Sequence, residues 1–321
     1  MSKKKWAGLF AILTAAAVTL AGCGGADGAK TADGADKLRF TFVCPIQGNV
    51  YWNTCVDGME KAAEEIGNID ISVVGPTQID TTQFIKDLDS TIASKPDGIM
   101  IMCYDESMIG ASIDNATKSG IPVVTIDTDG PNTSRVAYYG TANYDAGVQA
   151  GQAMVELTGG KAKIVVETAD LSAKNMQDRM NGFLSVVEKE PGMEVLTTVA
   201  AADVLEGAEV AQQFLTAYPD ISAIFCAEGQ GSKGIAKTLV ERDLAGKITM
   251  VTFDEDEELL RNIEDGVITA TVAQDPYTMG YKGVNALKTL IDGGTIEQEV
   301  NNVPVTTVTK DNVAEMLKKY E

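Results

Sequence analysis

The 321-residue sequence contains no histidine at all. That excludes Ser-His-Asp and Cys-His catalytic devices and every His-ligated metal. Cations are scarce: 26 Lys+Arg stand against 46 Asp+Glu, a formal net charge of −20. A surface of that sign repels phosphate backbones, so no nucleic-acid partner is expected. No cysteine spacing fits a metal motif, so no metal and no cofactor is implied. The apolar stretch Trp6 to Leu20 is too short for a bilayer span. What is present, 45% hydrophobic and 22% charged residues, suits a packed globular protein. The length suits two domains of ordinary size.

The N-terminus reads as an address. Lys3, Lys4 and Lys5 precede the apolar stretch, and Leu20-Ala21-Gly22-Cys23 closes it. Charge, apolar run and small residues in that order mark a secretory signal over residues 1–22. A Cys directly after small residues resembles the lipobox of bacterial lipoproteins, whose Cys is acylated and heads the mature chain. The alternative is a plain signal peptide with an incidental Cys. Losing the three lysines takes the net charge from −20 to −23. Diacyl chains on Cys23 would hold the protein on the outer face of the cell membrane. Residues 23–37 are expected to be a flexible tether, because Gly24 to Asp36 carries no apolar residue larger than Ala.

From Leu38 the pattern alternates. Strands are expected at Arg39–Cys44, Ile69–Val74, Gly98–Cys103 and Ile121–Ile126, with helices at Trp52–Ile66, Phe84–Ile92 and Met108–Lys118. A second series places strands at Lys163–Glu167, Glu194–Val199, Ala223–Cys226, Thr249–Phe253 and Thr269–Val272. Its helices are Asn175–Glu190, Ala208–Tyr218, Gly234–Glu241 and Glu255–Ile263. A helix over Pro276–Ile291, an extended run Val303–Val308 and a terminal helix near Asn312–Tyr320 complete the chain. The strands are continuously apolar, as in parallel sheets covered on both faces. The fold class is therefore α/β, two doubly wound parallel-sheet lobes in tandem. Cys44, Cys103 and Cys226 end apolar strands and, with Cys55, are expected to be buried free thiols. In an exported protein Cys44 with Cys103 is the pair to check for a disulfide.

Ligands of open α/β sheets lie beyond the carboxyl ends of the strands. Those ends carry Asn49, Tyr51 and Trp52 after the first strand and Asp127-Thr128 after the fourth, then Glu167, Glu228, Asp254 and Gln274 in the second unit. Carboxylates and amides near two aromatic rings suit a polyhydroxylated ligand. Each residue has a duller role open to it: Tyr51 and Trp52 as core caps, Asp127 and Asp254 as helix N-caps, Gln274 as linker. Gly229-Gln-Gly231-Ser-Lys-Gly234 with Asp254 also matches a dinucleotide fingerprint on paper. Its alternative is a tight turn whose small residues permit close packing.

Several segments together resemble the periplasmic sugar-binding proteins of the ribose/galactose type, the substrate-binding components of ABC importers. They are Asn49-Val-Tyr51-Trp52 with Asp57-Gly58, Gly120-Ile-Pro-Val-Val-Thr-Ile-Asp127, Arg179-Met-Asn-Gly182-Phe183, Thr216-Ala-Tyr-Pro-Asp220 with Ala223-Ile-Phe225, Val251-Thr-Phe253-Asp254 and Ala270-Thr-Val-Ala-Gln274. The resemblance implies two lobes of type I periplasmic-binding-protein form, joined by three crossings near Thr141, Gln274 and Val303. The lobes would be 38–141 plus 275–303 and 142–274 plus 304–321. By position it implies ligand contacts from Asn49, Tyr51, Trp52, Asp127, Thr128, Asn175, Gln177, Glu228, Asp254 and Gln274.

Departures from the ribose pattern are also plain. Thr128 and Gln177 stand where ribose binders carry Arg, Ala202 replaces an aromatic, and Glu228-Gly229 replaces Asn-Asp. Ribose is therefore not the expected ligand. An acidic pocket could suit an amine-bearing sugar conjugate. A neutral sugar or polyol, with a carboxylate paired to Arg179 or Lys233, is the conservative reading. The expected function is that of a monomeric, lipid-anchored solute-binding protein, not an enzyme, delivering a sugar to an ABC permease and its ATPase subunit. The alternatives are a sugar-sensing subunit for a membrane receptor kinase and, less simply, a glycoside-cleaving enzyme using Asp127 and Asp254.

Overall fold

Apolar runs without alternation belong in strands covered on both faces. The computed structural model describes residues 37–321 and places them so: Gly98–Ile101, Val123–Ile126, Ala223–Cys226 and Ala270–Ala273 are buried at every position. The chain begins β1 (Leu38–Val43), α1 (Val50–Ile66), β2 (Ile69–Val74), α2 (Thr81–Ser94), β3 (Gly98–Ile101), α3 (Glu106–Lys118), β4 (Val123–Ile126) and β5 (Ala137–Gly140). It continues α4 (Asn143–Thr158), β6 (Lys161–Thr168), α5 (Lys174–Val187), β7 (Gly192–Ala200), α6 (Val204–Ala217), β8 (Ala223–Cys226), α7 (Gln230–Glu241), β9 (Thr249–Phe253), α8 (Glu257–Glu264) and β10 (Ala270–Ala273). The end is α9 (Pro276–Ile291), β11 (Val300–Asn302), β12 (Thr306–Thr309), α10 (Val313–Leu317) and a short 3-10 turn at Lys318–Tyr320. The signal, the tether up to Asp36 and Cys23 lie outside the described residues.

Two six-stranded sheets result, ordered β11-β5-β4-β3-β1-β2 and β12-β10-β9-β8-β6-β7. All pairings are parallel except β10 with β12. The two orders match strand for strand, so β4 in one lobe occupies the place of β9 in the other. Each sheet is packed on both faces. In the first lobe Met59 of α1 and Leu287 of α9 join the cluster on one face, and Leu88 and Ile113 from α2 and α3 the other. In the second, Met154 and Phe183 of α4 and α5 cover one face, and Phe214, Leu239 and Leu260 of α6, α7 and α8 the other.

Helix starts follow sequence chemistry. Asn49, Asp80, Asp105, Asp203, Asp256 and Asp275 each accept a backbone N–H at the head of a helix, and Pro276 opens α9. Asp127 and Asp254 cap nothing; the cap of α8 is Asp256, two residues on.

Three elements were not foreseen. β5 and β11 are short edge-side strands, and α4 has no strong apolar stripe. Its buried face is made of small residues, Ala146, Gly147, Ala150 and Gly151, with Met154. The reason is close approach: a Cβ on Gly182 of α5 would sit 2.0 Å from the Tyr144 carbonyl, and one on Gly147 2.1 Å from the Arg179 carbonyl. Gly182→Ala therefore inverts the usual helix preference for Ala, worth about 1 kcal/mol. It forces α4 and α5 apart and is expected to lower stability by about 2 kcal/mol, read from urea unfolding; an unchanged midpoint would contradict this packing. The extended run Val303–Val308 is also not one strand. Only its Thr306–Val308 part is strand, within β12 of the second sheet; Pro304 lies before it, and Val300–Asn302, ahead of the run, pairs with the first sheet. All four described cysteines are buried free thiols, with no Cys44–Cys103 bridge. Burial pushes Cys44 up to about 11 and Cys103 up to about 12, so both stay protonated. Among the described residues no helix is long and apolar enough to cross a membrane.

Candidate functional site

The chain passes between the sheets after β5, after β10 and between β11 and β12. These passages touch. Val303 N donates to Gly140 O at 2.8 Å, and Thr141 Oγ1 donates to Gln274 Oε1 at 2.6 Å. Two cavities include residues of these passages. One, of about 710 Å³, is lined in part by Tyr104, Thr128, Tyr138, Thr141, Asn143 and Asn175. The other, of about 470 Å³, includes Thr54, Glu255, Gln274, Tyr277, Pro304 and Tyr320.

A polar network joins Thr128, Tyr138 and Thr141 of the larger cavity to Gln274 of the smaller, through Asp127, Asp254 and Tyr51, which themselves line neither. Asp127 directly follows β4 and Asp254 directly follows β9, the matching strands of the two lobes. Both residues take positive φ, 66° and 70°. That conformation is open to Asp and Asn more readily than to other side-chain-bearing residues. Asp127 Oδ2 accepts Tyr51 Oη at 2.6 Å, and its Oδ1 accepts Thr128 Oγ1 at 2.8 Å. Tyr138 Oη donates to the Asp127 carbonyl at 2.7 Å and lies 3.3 Å from that of Thr141. Thr141 then holds Gln274, whose Nε2 donates to Asp254 Oδ1 at 2.6 Å; Gly229 N donates to Asp254 Oδ2 at 3.0 Å. An unbroken path of polar contacts thus links Tyr51 in one lobe to Gly229 in the other.

Arg179 lies close enough to this network for its charge to act on Asp127. Arg179 is 2% exposed. Its Nε donates to Asn143 Oδ1 at 2.8 Å, its Nη1 to Ala227 O at 2.9 Å, and its plane lies 4.5 Å from the Phe253 ring centre. Burial pushes the Asp127 carboxyl up, opposed by the Tyr51 hydroxyl and by the positive charge of Arg179. Burial and the neighbouring Asp127 push the Tyr51 phenol well above its ordinary value, so it remains the donor. The larger cavity is lined by Asp105, Glu106, Asp129, Asp170 and Asp178; Asp129 pairs with Arg135 and Asp178 with Lys174, while Asp105 accepts from Ser107.

A family model for the periplasmic binding protein domain matches residues 40–295. The chain belongs to the periplasmic binding protein family. This periplasmic binding protein is 25% identical over 277 residues to the ribose import binding protein RbsB of Bacillus subtilis (strain 168), covering 85% of this chain and 88% of that one. It is 24% identical over 264 residues to the D-allose-binding periplasmic protein of Escherichia coli (strain K12), covering 79% of this chain and 84% of that one. Among solved structures, GanP, a glucose-galactose binding protein from Geobacillus stearothermophilus, shares 33% identity and a TM-score of 0.82 over 87% of this chain and 99% of its own.

Against the residues expected from sequence, the binding protein divides them. Tyr51, Asp127, Thr128, Asp254 and Gln274 join the network described above. Asn175 lines the larger cavity. Trp52 sits edge-on to Tyr51, with ring centres 5.0 Å apart; it is 8% exposed, packs on Phe42, and borders an apolar pocket with Pro45, Ile46, Ile79 and Phe84 that adjoins the larger cavity through Met102 and Tyr104. Asn49 is the cap of α1, accepting Tyr51 N at 2.9 Å. Gln177 turns its amide to the Leu171 carbonyl and lines neither cavity.

Glu228 is committed to the backbone N–H groups of Gln230 and Gly231. That removes the dinucleotide reading as well: the head of α7, where a pyrophosphate would sit, is filled by the chain's own carboxylate. The glycines there serve packing, since a Cβ on Gly234 would meet the Val204 carbonyl at 2.0 Å. Lys233 is paired with Asp256 at 2.5 Å, so it neutralises no site carboxylate.

Arg179 and Tyr138 are the residues the sequence reading undervalued. The sequence offers Arg179 as a partner for a site carboxylate but not as a ligand contact. Tyr138 lay in a strand that was not foreseen. One sequence signal points to the symmetry: Val124-Thr-Ile-Asp127 and Val251-Thr-Phe-Asp254 repeat the same strand end.

Proposed function

We propose that this protein captures a neutral sugar or polyol between its two lobes and hands it to an ABC permease. We assign residues 38–141 and 275–303 to the first lobe and 142–274 and 304–321 to the second. The observation that carries this reading is the pair of strand-end carboxylates, Asp127 and Asp254, one from each lobe, held in one network at the crossings. Each carboxylate oxygen accepts one hydrogen bond already and keeps a lone pair for a ligand hydroxyl. Relatives that import ribose or bind allose, glucose and galactose support the ligand class. Arg135 and Lys174 offset two of the five cavity acids, and Asp105, Glu106 and Asp170 accept hydrogen bonds from backbone N–H groups, which supports the neutral ligand over the amine-bearing one.

Ligand contacts from both lobes favour the closed arrangement, which a permease then recognises. Acylation of Cys23 would keep the protein at the outer membrane face, with residues 23–37 as its tether.

Native mass spectrometry of protein purified without added sugar, followed by calorimetric titration against neutral pentoses, hexoses, hexitols and amino sugars, tests this. A retained or titrated neutral sugar is the expected result. Exclusive binding of amino sugars overturns the neutral ligand, and no binding by any compound overturns the sugar reading.

A further inference from the structure

Glu167 is the penultimate residue of β6 and is 0% exposed, yet neither of its carboxyl oxygens has an N–H or O–H partner among the described residues. A bare carboxylate in such a place is heavily penalised, so the group keeps its proton. Opposite it stands Glu228. A Cβ on Gly231 would lie 2.8 Å from Glu228 Oε1 and 2.9 Å from Glu167 Oε1, so both carboxyl groups border one backbone position that carries no side chain. They are not equivalent. Glu228 accepts Gln230 N at 2.5 Å and Gly231 N at 2.6 Å at the head of α7, where donors and helix dipole favour the ionised form. Glu167 has no N–H donor, and only the Cys226 thiol, a weak donor, stands beside it. Between the residues tied down in this way lies Gly229, whose N–H donates to Asp254.

We propose that Glu167 and Glu228 form a proton-sharing pair, the protein's pH-responsive element near neutrality, which fixes the 228–231 turn and so positions the Gly229 amide on Asp254. Other groups around it do not supply a counter-charge. Arg179 of α5 is engaged by Asn143 and Ala227, Lys233 of α7 by Asp256 and Glu258, and Glu206 of α6 accepts from Ala202 N. The Cys226 thiol of β8 is pushed well up by burial and by Glu167. Asp254 of β9 adds negative charge. Burial raises Glu167 well above the usual carboxyl range and Glu228 to about 7. As a coupled pair they titrate jointly.

The sign follows from linkage. Carboxyls raised in the folded state bind protons that the unfolded chain has already lost, so stability falls as pH rises from about 5 through about 8. With no histidine in the chain, few other groups titrate in that window. Asp127, also raised, acts in the same sense.

The experiment compares the full-length chain with Glu167→Gln and Glu167→Ala by thermal unfolding between pH 5 and 8. The wild-type midpoint should fall by at least about 3 °C. Glu167→Gln donates an amide N–H to Glu228 without needing a proton. It should reduce that fall by half or more and melt above wild type at pH 8, while Glu167→Ala melts below wild type throughout. Carbon-13 NMR of labelled wild-type Glu carboxyls should show one titrating near pH 7, absent in Glu228→Gln. A flat wild-type profile, an unchanged slope in Glu167→Gln, or no carboxyl titrating between pH 5.5 and 8.5 overturns the pair. None of these measurements uses a sugar, so their failure leaves the ligand reading standing.

Discussion

Arg179→Met is expected to lower stability by about 3 kcal/mol, the largest loss foreseen for any single side chain in this protein. Methionine fills much of the same volume, so a cavity is not the cause. The cost comes from what the guanidinium leaves behind. The Ala227 carbonyl and the Asn143 amide lose their donor in a buried setting, and Phe253 loses the cation above its ring. Asp127 also loses the positive charge that opposes its burial, so its carboxyl should move further up. Arg179→Lys should rescue little, because an ammonium group can neither span both acceptors as a planar fork nor stack in the same way. Urea unfolding measures the effect. A midpoint within experimental error of wild type would show that Arg179 is a passenger in its niche.

Asp254→Asn should weaken sugar binding at least about 100-fold, roughly 2.7 kcal/mol, while leaving the fold intact. Asparagine matches aspartate in size and also tolerates positive φ, so the 70° backbone angle is kept. What changes is the acceptor. Asp254 takes Gln274 Nε2 on one oxygen and Gly229 N on the other. An amide oxygen can keep one of these, but the amide nitrogen faces a second donor. The remaining oxygen also lacks the charge that strengthens a hydroxyl hydrogen bond away from water. Asp127→Asn should act in the same direction by the same logic, since Tyr51 and Thr128 both donate to it. Calorimetric titration of the sugar found for wild type, with circular dichroism to show folding, decides the matter. An unchanged Kd in a folded Asp254→Asn protein removes this residue from the ligand site.

Local chemistry made much of this molecule readable in advance. Continuous apolar runs placed most of the strands, because a strand covered on both faces tolerates few polar side chains. Asp and Asn before apolar periodicity placed helix starts, because a short acceptor satisfies the open N–H groups of a first turn. The strand ends at Asp127 and Asp254 were marked by topology alone. The sequence did not reveal α4, whose glycines matter only once α5 is pressed against it. Nor did it separate Asp254, which joins the network at the crossings, from Glu228, which its own helix claims. Those distinctions depend on partners far apart in the chain, such as Thr141 with Gln274, and on which oxygen finds a donor after packing. Sequence by itself determined which residues stand at the mouths of the sheets. Only the tertiary structure decided which of them face one another, because burial and hydrogen-bond partnership are settled between elements and not within them.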